Sequence, residues 1–172
     1  MEVLASFDAQ FAALNPFIFY VLVGAIVFIE TGLLFGFFLP GDSVLFSAGL
    51  VAAAMTDVNI VILVTVILAA AFFGDQVGFV IGRVVGRPYL DKRDSPRMRR
   101  MIARSERFYE QTGWWAVVAA RFFPWIRTFV PPIAGAAKMN YYKFLSANIF
   151  GAILWGAGIT LAGFYADRKS VV

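Results

Sequence analysis

Five ionisable residues lie in stretches of the chain that are otherwise apolar: Glu30, Asp42, Asp75, Arg121 and Arg127. Moving a charged side chain to the depth of a bilayer costs about 3 kcal/mol on insertion scales, so ionisable residues there are functional-site candidates. Carboxylates accept and release protons, and guanidinium groups bind anions. The sequence therefore predicts a site for charged groups at membrane depth.

The composition indicates a membrane protein and argues against several classes of site. Of the 172 residues 60% are apolar, whereas soluble domains are about 45–50% apolar. The chain has no Cys and no His, which removes thiolate and imidazole metal ligands and the usual catalytic bases. We therefore expect no metal, no cofactor and no enzymatic activity, with an Asp-based lipid phosphatase as the one enzymatic alternative. The basic residues lie mainly in one short stretch, which indicates a membrane surface rather than nucleic acid.

The first apolar block covers residues 17–54 and is longer than the roughly 20 residues that one crossing needs. Pro40 lacks a backbone donor and Gly41 permits unusual dihedral angles, so both favour a break there. Asp42 and Ser43 can then cap a helix that restarts at Val44. We predict a membrane helix over residues 17–36 and a re-entrant helical hairpin over residues 37–54, with its tip at residues 40–43. Two ordinary helices joined by an external turn are the alternative.

The second apolar block, residues 58–85, carries a stripe of small residues. Gly74, Gly78 and Gly82 recur every four positions, so they share one helix face and allow a neighbouring helix to approach closely. Asp75 lies beside this stripe, and we expect it to point inward. The last apolar block, residues 141–165, is a predicted crossing helix, and on it we assign Trp155 to helix packing.

A basic segment covers residues 87–112, and by the positive-inside rule it faces the cytoplasm. A helix is predicted from Ser95-Pro96 through Tyr109, because Pro is favoured in the first helical turn. This segment either binds anionic lipid headgroups or serves only as a topology signal. Residues 1–16 are a lead-in segment that lacks Lys and Arg, so we do not expect a cleaved signal peptide.

The block of residues 114–137 is apolar but is interrupted by Arg121, Pro124, Arg127, Pro131 and Pro132. A membrane helix with so many breaks needs neighbours to satisfy its freed carbonyl groups. We predict a second re-entrant hairpin that faces the first, with its breaks at Pro124 and Pro131. Two broken segments at matching positions of two halves indicate an inverted repeat with a site at the midplane. The predicted fold is therefore an all-α integral membrane protein.

Four motifs carry a resemblance to a known family: Phe38-Leu39-Pro40-Gly41-Asp42, Gly74-Asp75-Gln76-Val77-Gly78, Arg121-Phe122-Phe123-Pro124-Trp125-Ile126-Arg127 and Gly151-Ala152-Ile153-Leu154-Trp155. With Glu30, they resemble the bacterial DedA family of the VTT, or SNARE-associated, superfamily. The resemblance covers most of the chain and implies one membrane domain over residues 1–172, multi-pass in the inner membrane. Where the family usually has Tyr, this chain has Phe79, so a hydroxyl-dependent role at that position is not carried over.

The resemblance also implies a function in moving lipids across the bilayer. Family members are described as flippases of undecaprenyl phosphate, eukaryotic relatives as phospholipid scramblases, and other members are linked to proton-dependent membrane homeostasis. The family's essential acids fall on Glu30 and Asp42, and its essential arginines on Arg121 and Arg127. We therefore expect membrane lipids, above all a polyprenyl phosphate, as partners of this chain.

The residue types agree with this expectation. Arginine presents a fixed fork of donors that suits a phosphate, so Arg121 and Arg127 are the predicted phosphate ligands. Glu30 and Asp42 are the natural counter-ions of both arginines in the empty state, and their protonation would couple phosphate binding to protons. Asp75 is either a third member of this set or a helix-pairing residue.

Alternative functions remain open at this stage. They are a scramblase, a proton- or cation-coupled small-solute transporter, and a non-transporting scaffold; a purely structural salt-bridge network is the alternative role for the charged residues. The small-residue helix faces would also permit a homo-oligomer.

Overall fold

The computed structural model describes residues 15–32, 41–92 and 95–170, and every regular element in these ranges is a helix. The elements are α1 (Pro16–Gly32), α2 (Gly41–Ala54), α3 (Ile60–Asp91), α4 (Pro96–Gln111), α5 (Gly113–Ala120), α6 (Pro124–Arg127), α7 (Val130–Ala136), α8 (Tyr141–Ala152) and α9 (Gly158–Ser170). The α3 helix includes a π-helical turn at Gly82–Gly86, and a second π-helical turn, Ile153–Ala157, joins α8 to α9 without a break.

Two long helices form the frame of the molecule. The α3 helix has 32 residues, and the α8–α9 helix has 26 residues over Tyr141–Ala166, so both exceed the roughly 20 residues that span a bilayer. Asparagine side chains start both helices, because Asn59 accepts from two backbone N–H groups of α3 and Asn140 accepts from two of α8. The helices run antiparallel, with Asn148 beside Phe72 and Gly156 beside Ile67 and Leu68.

The first two helices pack around the N-terminal half of α3. The α1 helix runs parallel to α3, from Tyr20, whose hydroxyl accepts from the Asn59 N–H at 2.7 Å, to Gly32, which packs on Gly74. The α2 helix then returns toward the start of α3 and packs in parallel on α9, where Gly49 meets the Thr160 backbone. Both ends of the described chain, at α1 and α9, therefore lie near the start of α3.

One detail of the predicted first hairpin is wrong, namely the start of its helix. Residues 41–54 form one uninterrupted helix that runs antiparallel to α1, and residues 37–40, the other predicted arm, lie outside the described residues. The helix begins at Gly41 rather than Val44, because Asp42 lies in the first turn, where a negative charge is favourable. The predicted break at Pro40 and the lead-in over residues 1–16, apart from its last two residues, lie outside the described residues.

The second helical hairpin packs around the other half of the long helices. The α5 helix runs parallel to α8, and the Trp114 indole donates to the Ser146 hydroxyl at 3.0 Å. The chain turns through α6, and α7 returns along the C-terminal half of α3, where Gly82 contacts Pro132 and Gly135 contacts Phe79. The breaks at Pro124 and Pro131 occur as predicted, since both prolines lie in first helical turns, where no backbone donor is needed. The glycine stripe of α3 packs on protein as expected.

The basic segment forms a short link to an amphipathic helix. Arg87 still belongs to α3, and α4 begins at Pro96 as predicted. The Arg87 guanidinium pairs with Asp91 at 2.9 Å and with Glu106 of α4. The Arg87–Glu106 pair holds α4 against the end of α3 that is opposite to both ends of the described chain.

The apolar surface is that of a membrane protein. Two buried apolar clusters form the interior, one centred on α1, α2 and the first half of α3, and the other on α5, α7 and the start of α8. Large apolar side chains nevertheless cover the outside of the helices, including Phe17, Val61, Phe73, Val84 and Ile153, each at least half exposed. Such a surface requires lipid rather than water around it.

Candidate functional site

The structure brings Arg127 together with two of the predicted acids. Arg127 ends α6 at the tip of the second hairpin, and its Nη1 donates to Asp42 Oδ1 at 2.7 Å while its Nη2 pairs with Glu30. The side chains of Arg127 and Glu30 are 3% and 2% exposed, whereas that of Asp42 is 39% exposed. One guanidinium from the second hairpin thus bridges two carboxylates from α1 and α2.

Arg121 forms a separate cluster with Asp75 of α3 and Asn148 of α8. The expectation that Glu30 and Asp42 would neutralise both arginines is therefore wrong for Arg121. The reason is the break at Pro124, because Arg121 extends from the end of α5 toward α3 and α8, while Arg127 lies beyond the turn and faces α1 and α2. Asp75 pairs with Arg121 and so connects α3 with α5. This arrangement fits both of its predicted roles, and its function stays a prediction.

Two residues of the site were not identified from the sequence as polar partners. The Trp155 indole N–H donates to Asp42 Oδ1 at 2.7 Å, and the Trp155 ring lies 4.5 Å from the Arg127 guanidinium carbon. Asn148 accepts from Arg121 and donates to the Phe72 carbonyl group. Asn148 and Trp155 are seven residues apart, so both lie on the helix face toward the charged residues. That spacing, together with the need of a buried indole for an acceptor, is the signal that could have found them.

Glycines make the space that the charged side chains occupy. A Cβ atom at Gly41 would overlap the Glu30 carboxylate, and a Cβ atom at Gly151 would lie 2.7 Å from Cδ of Arg121. Gly41 was predicted as a helix break, but in the structure it is the first residue of α2 and leaves room for Glu30. Any larger residue at either position would displace an ion pair.

A small cavity lies between the two clusters. Both arginines line it, with Thr31, Asp75 and Pro131 among the other wall residues. The cavity volume within which the centre of a water molecule can lie is about 10 Å³. This volume is close to the minimum that a cavity needs to hold one water. Four buried side-chain atoms of the site region have no hydrogen-bond partner among the described residues: Glu30 Oε2, Arg121 Nε, Arg127 Nε and Thr128 Oγ1. Within this part of the chain, the four atoms keep hydrogen-bonding capacity that no neighbouring residue uses.

The site lies at the level of the middle of both long helices. Asp75 is about 15 residues from each end of α3, which corresponds to roughly 22 Å on either side. Trp155 lies in the middle part of the helix Tyr141–Ala166, at a π-helical turn, an irregularity that is frequent at functional sites. Two arginines and three carboxylates meet at this depth, so the site carries a formal charge of −1 when all five are ionised.

Comparisons with known proteins agree with this architecture. The VTT domain family model matches residues 39–165. An uncharacterized membrane protein of Mycobacterium leprae is 44% identical over 149 residues, which cover 86% of this chain and 66% of that protein. An uncharacterized membrane protein of Mycobacterium tuberculosis is 45% identical over 142 residues, with 81% and 62% covered. Protein DedA of Escherichia coli is 40% identical over 148 residues, with 85% and 68% covered.

The chain thus spans about two thirds of the length of these relatives. No solved structure matches it. These two mycobacterial relatives are named as membrane proteins, and among the described residues two helices are long and apolar enough to cross a membrane. The predicted location in a bacterial inner membrane is confirmed. The family model covers most of the chain and the E. coli relative aligns along 85% of it, and the chain therefore belongs to the DedA family of VTT-domain membrane proteins.

Proposed function

We propose that this protein moves a lipid phosphate between the leaflets of the inner membrane, with undecaprenyl phosphate as its substrate. The observation that carries the proposal is the position of Arg127, whose guanidinium is buried at the middle of the molecule and shared between Glu30 and Asp42. Arginine binds phosphate through the same fork of donors that it uses for carboxylates. A lipid phosphate would bind by replacing one of these carboxylates.

The proposal includes two re-entrant hairpins that enter the membrane from opposite faces. The described part of α1 ends at the middle of α3, where Gly32 packs on Gly74, and α2 runs back from that level, while α7 returns from the middle of α3 toward its other end. Helices of eight and seven residues, α5 and α7, are too short to cross a bilayer of about 30 Å. The tips of both hairpins would then meet at the midplane, where Arg127 lies.

A repeated helix crossing supports an inverted repeat. In one half, Gly49 of α2 meets Thr160 and Gly163 of α9 meets Phe46. The other half has the same pattern, in which Gly135 of α7 meets Phe79 and Gly82 of α3 meets Pro132. In both crossings each glycine contacts the backbone three residues before the partner glycine, and the two helices run parallel. Two units of opposite orientation account for this pattern. The return helix of the first unit, α2, packs on the long helix of the second, and the return helix of the second unit, α7, packs on the long helix of the first.

An apolar groove offers a path for the hydrocarbon tail. It runs between α1 and α2, has a volume of about 260 Å³, is open to the outside and includes Phe19, Val23 and Val51 among its wall residues. Ser43 also lines the groove and directly follows Asp42 in the sequence. A lipid could keep its tail in this groove while its phosphate reaches Arg127.

The charge of the site argues for coupling to protons. With a formal charge of −1, the ionised site repels an anion, whereas protonation of two of its carboxyl groups would give a net charge of +1. Phosphate binding and carboxylate protonation would therefore favour each other. Release of the protons would restore the carboxylate–arginine pairs and expel the phosphate.

The test is leaflet-to-leaflet movement of labelled undecaprenyl phosphate and of labelled phosphatidylcholine in liposomes that contain the purified protein. We expect wild type to accelerate movement of the carrier, and Arg127→Ala to lose this acceleration. The matched control is Arg107→Ala, which removes an exposed arginine of α4. Equal acceleration of both lipids would identify a scramblase instead. No movement of either lipid by folded wild type would overturn the proposal in favour of a small-solute transporter.

Proton coupling is tested in the same liposomes by varying pH. Glu30→Gln and Asp42→Asn keep the shape of each side chain but cannot exchange a proton at neutral pH. We expect both variants to flatten the dependence of the transport rate on pH, while the Arg107→Ala control retains it. If both amide variants transport with the wild-type pH profile, these two carboxylates have no part in proton coupling.

A further inference from the structure

A second cavity lies far from the charged site, where α4 meets the end of α3 and the return arm α7. Its volume is about 280 Å³, and its walls are Leu90, Met101, Ile102, Ser105, Ile133, Ala136 and Ala137. Ser105 is the only polar side chain among these wall residues. The volume is at the lower end of the range for ligand pockets, roughly 300–1,000 Å³, which suits one apolar chain.

One arginine connects the walls of this cavity. Arg87 of α3 pairs with Glu106 of α4, and its Nη1 also donates to the Ala136 carbonyl of α7 at 3.3 Å. This partly buried guanidinium thus contacts all three helices that enclose the cavity.

Basic residues flank the part of α4 that lines the cavity. Arg97 and Arg104 are exposed and lie four residues before and three residues after Met101 on α4, so they lie next to Met101, at the edge of the lining face. Arg107 is also exposed, but its position, six residues after Met101, puts it on another face. Met101 and Phe108 add apolar surface to the first face and are 53% and 48% exposed. An apolar cavity with cations at its rim matches a molecule with an apolar tail and an anionic head.

The described ends of the chain do not supply an occupant. Both α1 and the end of α9 lie near the start of α3, whereas the cavity lies at its other end, about 45 Å away along a helix of 32 residues. We take the occupant to come from the surroundings at the α4 side. By the positive-inside rule this side is the cytoplasmic leaflet, which is rich in anionic lipid.

We propose that this cavity binds one acyl chain of an anionic phospholipid of the cytoplasmic leaflet, with its headgroup held by Arg97 and Arg104. The site is distinct from the charged cluster around Arg127, so the lipid bound here is resident and is not the transported molecule. This inference does not depend on the proposed transport function. It assigns to the amphipathic helix a lipid-binding role beyond that of a topology signal.

The test is native mass spectrometry of the detergent-purified protein with equal amounts of dioleoyl phosphatidylglycerol and dioleoyl phosphatidylcholine. We expect wild type to retain one phosphatidylglycerol in preference to phosphatidylcholine. Ser105→Trp fills the cavity and should abolish this preference, whereas Ser105→Ala leaves the cavity open and should keep it. Circular dichroism and thermal melting establish that both variants fold.

A second pair of variants tests the rim without touching the interior. Replacing Arg97 and Arg104 by Gln should weaken phosphatidylglycerol retention by about fivefold for each arginine removed. The matched control, Arg107→Gln, removes one charge from another face, as many as Arg97→Gln or Arg104→Gln alone, and should change retention less than twofold. Equal losses in both cases, or equal retention of the two lipids by wild type, would overturn the proposal. If wild type instead forms dimers and retains no lipid, and Ser105→Trp breaks these dimers, the cavity binds a second copy of the chain.

Discussion

Removal of the Arg127 guanidinium is the sharpest test of the charged site as described. Arg127→Met keeps an apolar stem of similar length but leaves Glu30, with a side chain 2% exposed, without a cation. Asp42 is affected less because its side chain is 39% exposed and can be hydrated. Two unit charges about 4 Å apart interact by about 4 kcal/mol at an effective dielectric constant of 20. Breaking a buried pair by removing one partner costs about 3–5 kcal/mol, so we expect a loss of that size in the free energy of unfolding.

The double variant Glu30→Met/Arg127→Met separates the ion pair from the packing around it. With both charges gone no buried charge is left unpaired, and apolar replacements of buried pairs are often neutral or stabilising. We therefore expect the double variant to recover most of the stability that Arg127→Met loses, while lipid transport stays abolished in both.

The assay is unfolding by sodium dodecyl sulfate in mixed micelles, followed by tryptophan fluorescence. It is applied to wild type, to the single variants Glu30→Met and Arg127→Met, and to the double variant. A favourable interaction energy of several kcal/mol in this cycle is the expected result. Additive single-variant losses would refute the reasoning, because the two side chains would then not stabilise each other. Wild-type stability in Arg127→Met would refute it as well.

Three further changes have defined outcomes. Trp155→Phe removes the indole N–H that donates to Asp42 but keeps an aromatic ring near the Arg127 guanidinium. We therefore expect the free energy of unfolding to fall by about 1.5–3 kcal/mol in the same assay. An unchanged free energy would contradict the hydrogen bond. Gly41→Ala puts a methyl group into the space of the Glu30 carboxylate and should lower both stability and transport, whereas Gly158→Ala, with nothing within 4 Å of the added carbon, should do neither. Burial raises the pKa of Tyr109 to about 12, above its unfolded value of about 10; the unfolded state therefore loses this proton first, and stability should fall as pH rises from about 10 to 12. Tyr109→Phe should show a smaller fall over this range, and an unchanged fall would exclude Tyr109 as its source.

The five charged residues could be chosen from the sequence because a charge in an apolar stretch is costly wherever it lies. Their pairing could not, since it depends on which way each side chain extends from a broken helix. Arg121 and Arg127 are six residues apart, and the turn between them directs one toward Asp75 and the other toward Glu30. A linear pattern contains no information about that direction. The roles assigned to these residues in transport stay predictions.

The helices were predicted more reliably than their partners. The long helices and α4 follow from apolar length and from start signals such as Ser95-Pro96. The helix after the predicted break was expected to start at Val44 rather than Gly41, because Asp42 and Ser43 were assigned to its cap instead of its first turn. Trp155 was assigned to packing because a tryptophan in an apolar helix usually has that role. Its second role, as a hydrogen-bond donor to Asp42, becomes visible only once the position of Asp42 is known.

The two glycine crossings restrict how the protein can change shape. At Gly49–Gly163 and at Gly82–Gly135 main-chain atoms touch directly, so no side chain can change its rotamer there to let one helix slide along the other. The pair α2 and α9, and the pair of α7 with the second half of α3, must each move as one rigid body. Displacement between these bodies would then concentrate at the bridge from Arg127 to Glu30 and Asp42. If the protein moves lipids as proposed, these ion pairs would be the contacts that break between its states, while both hairpins stay folded.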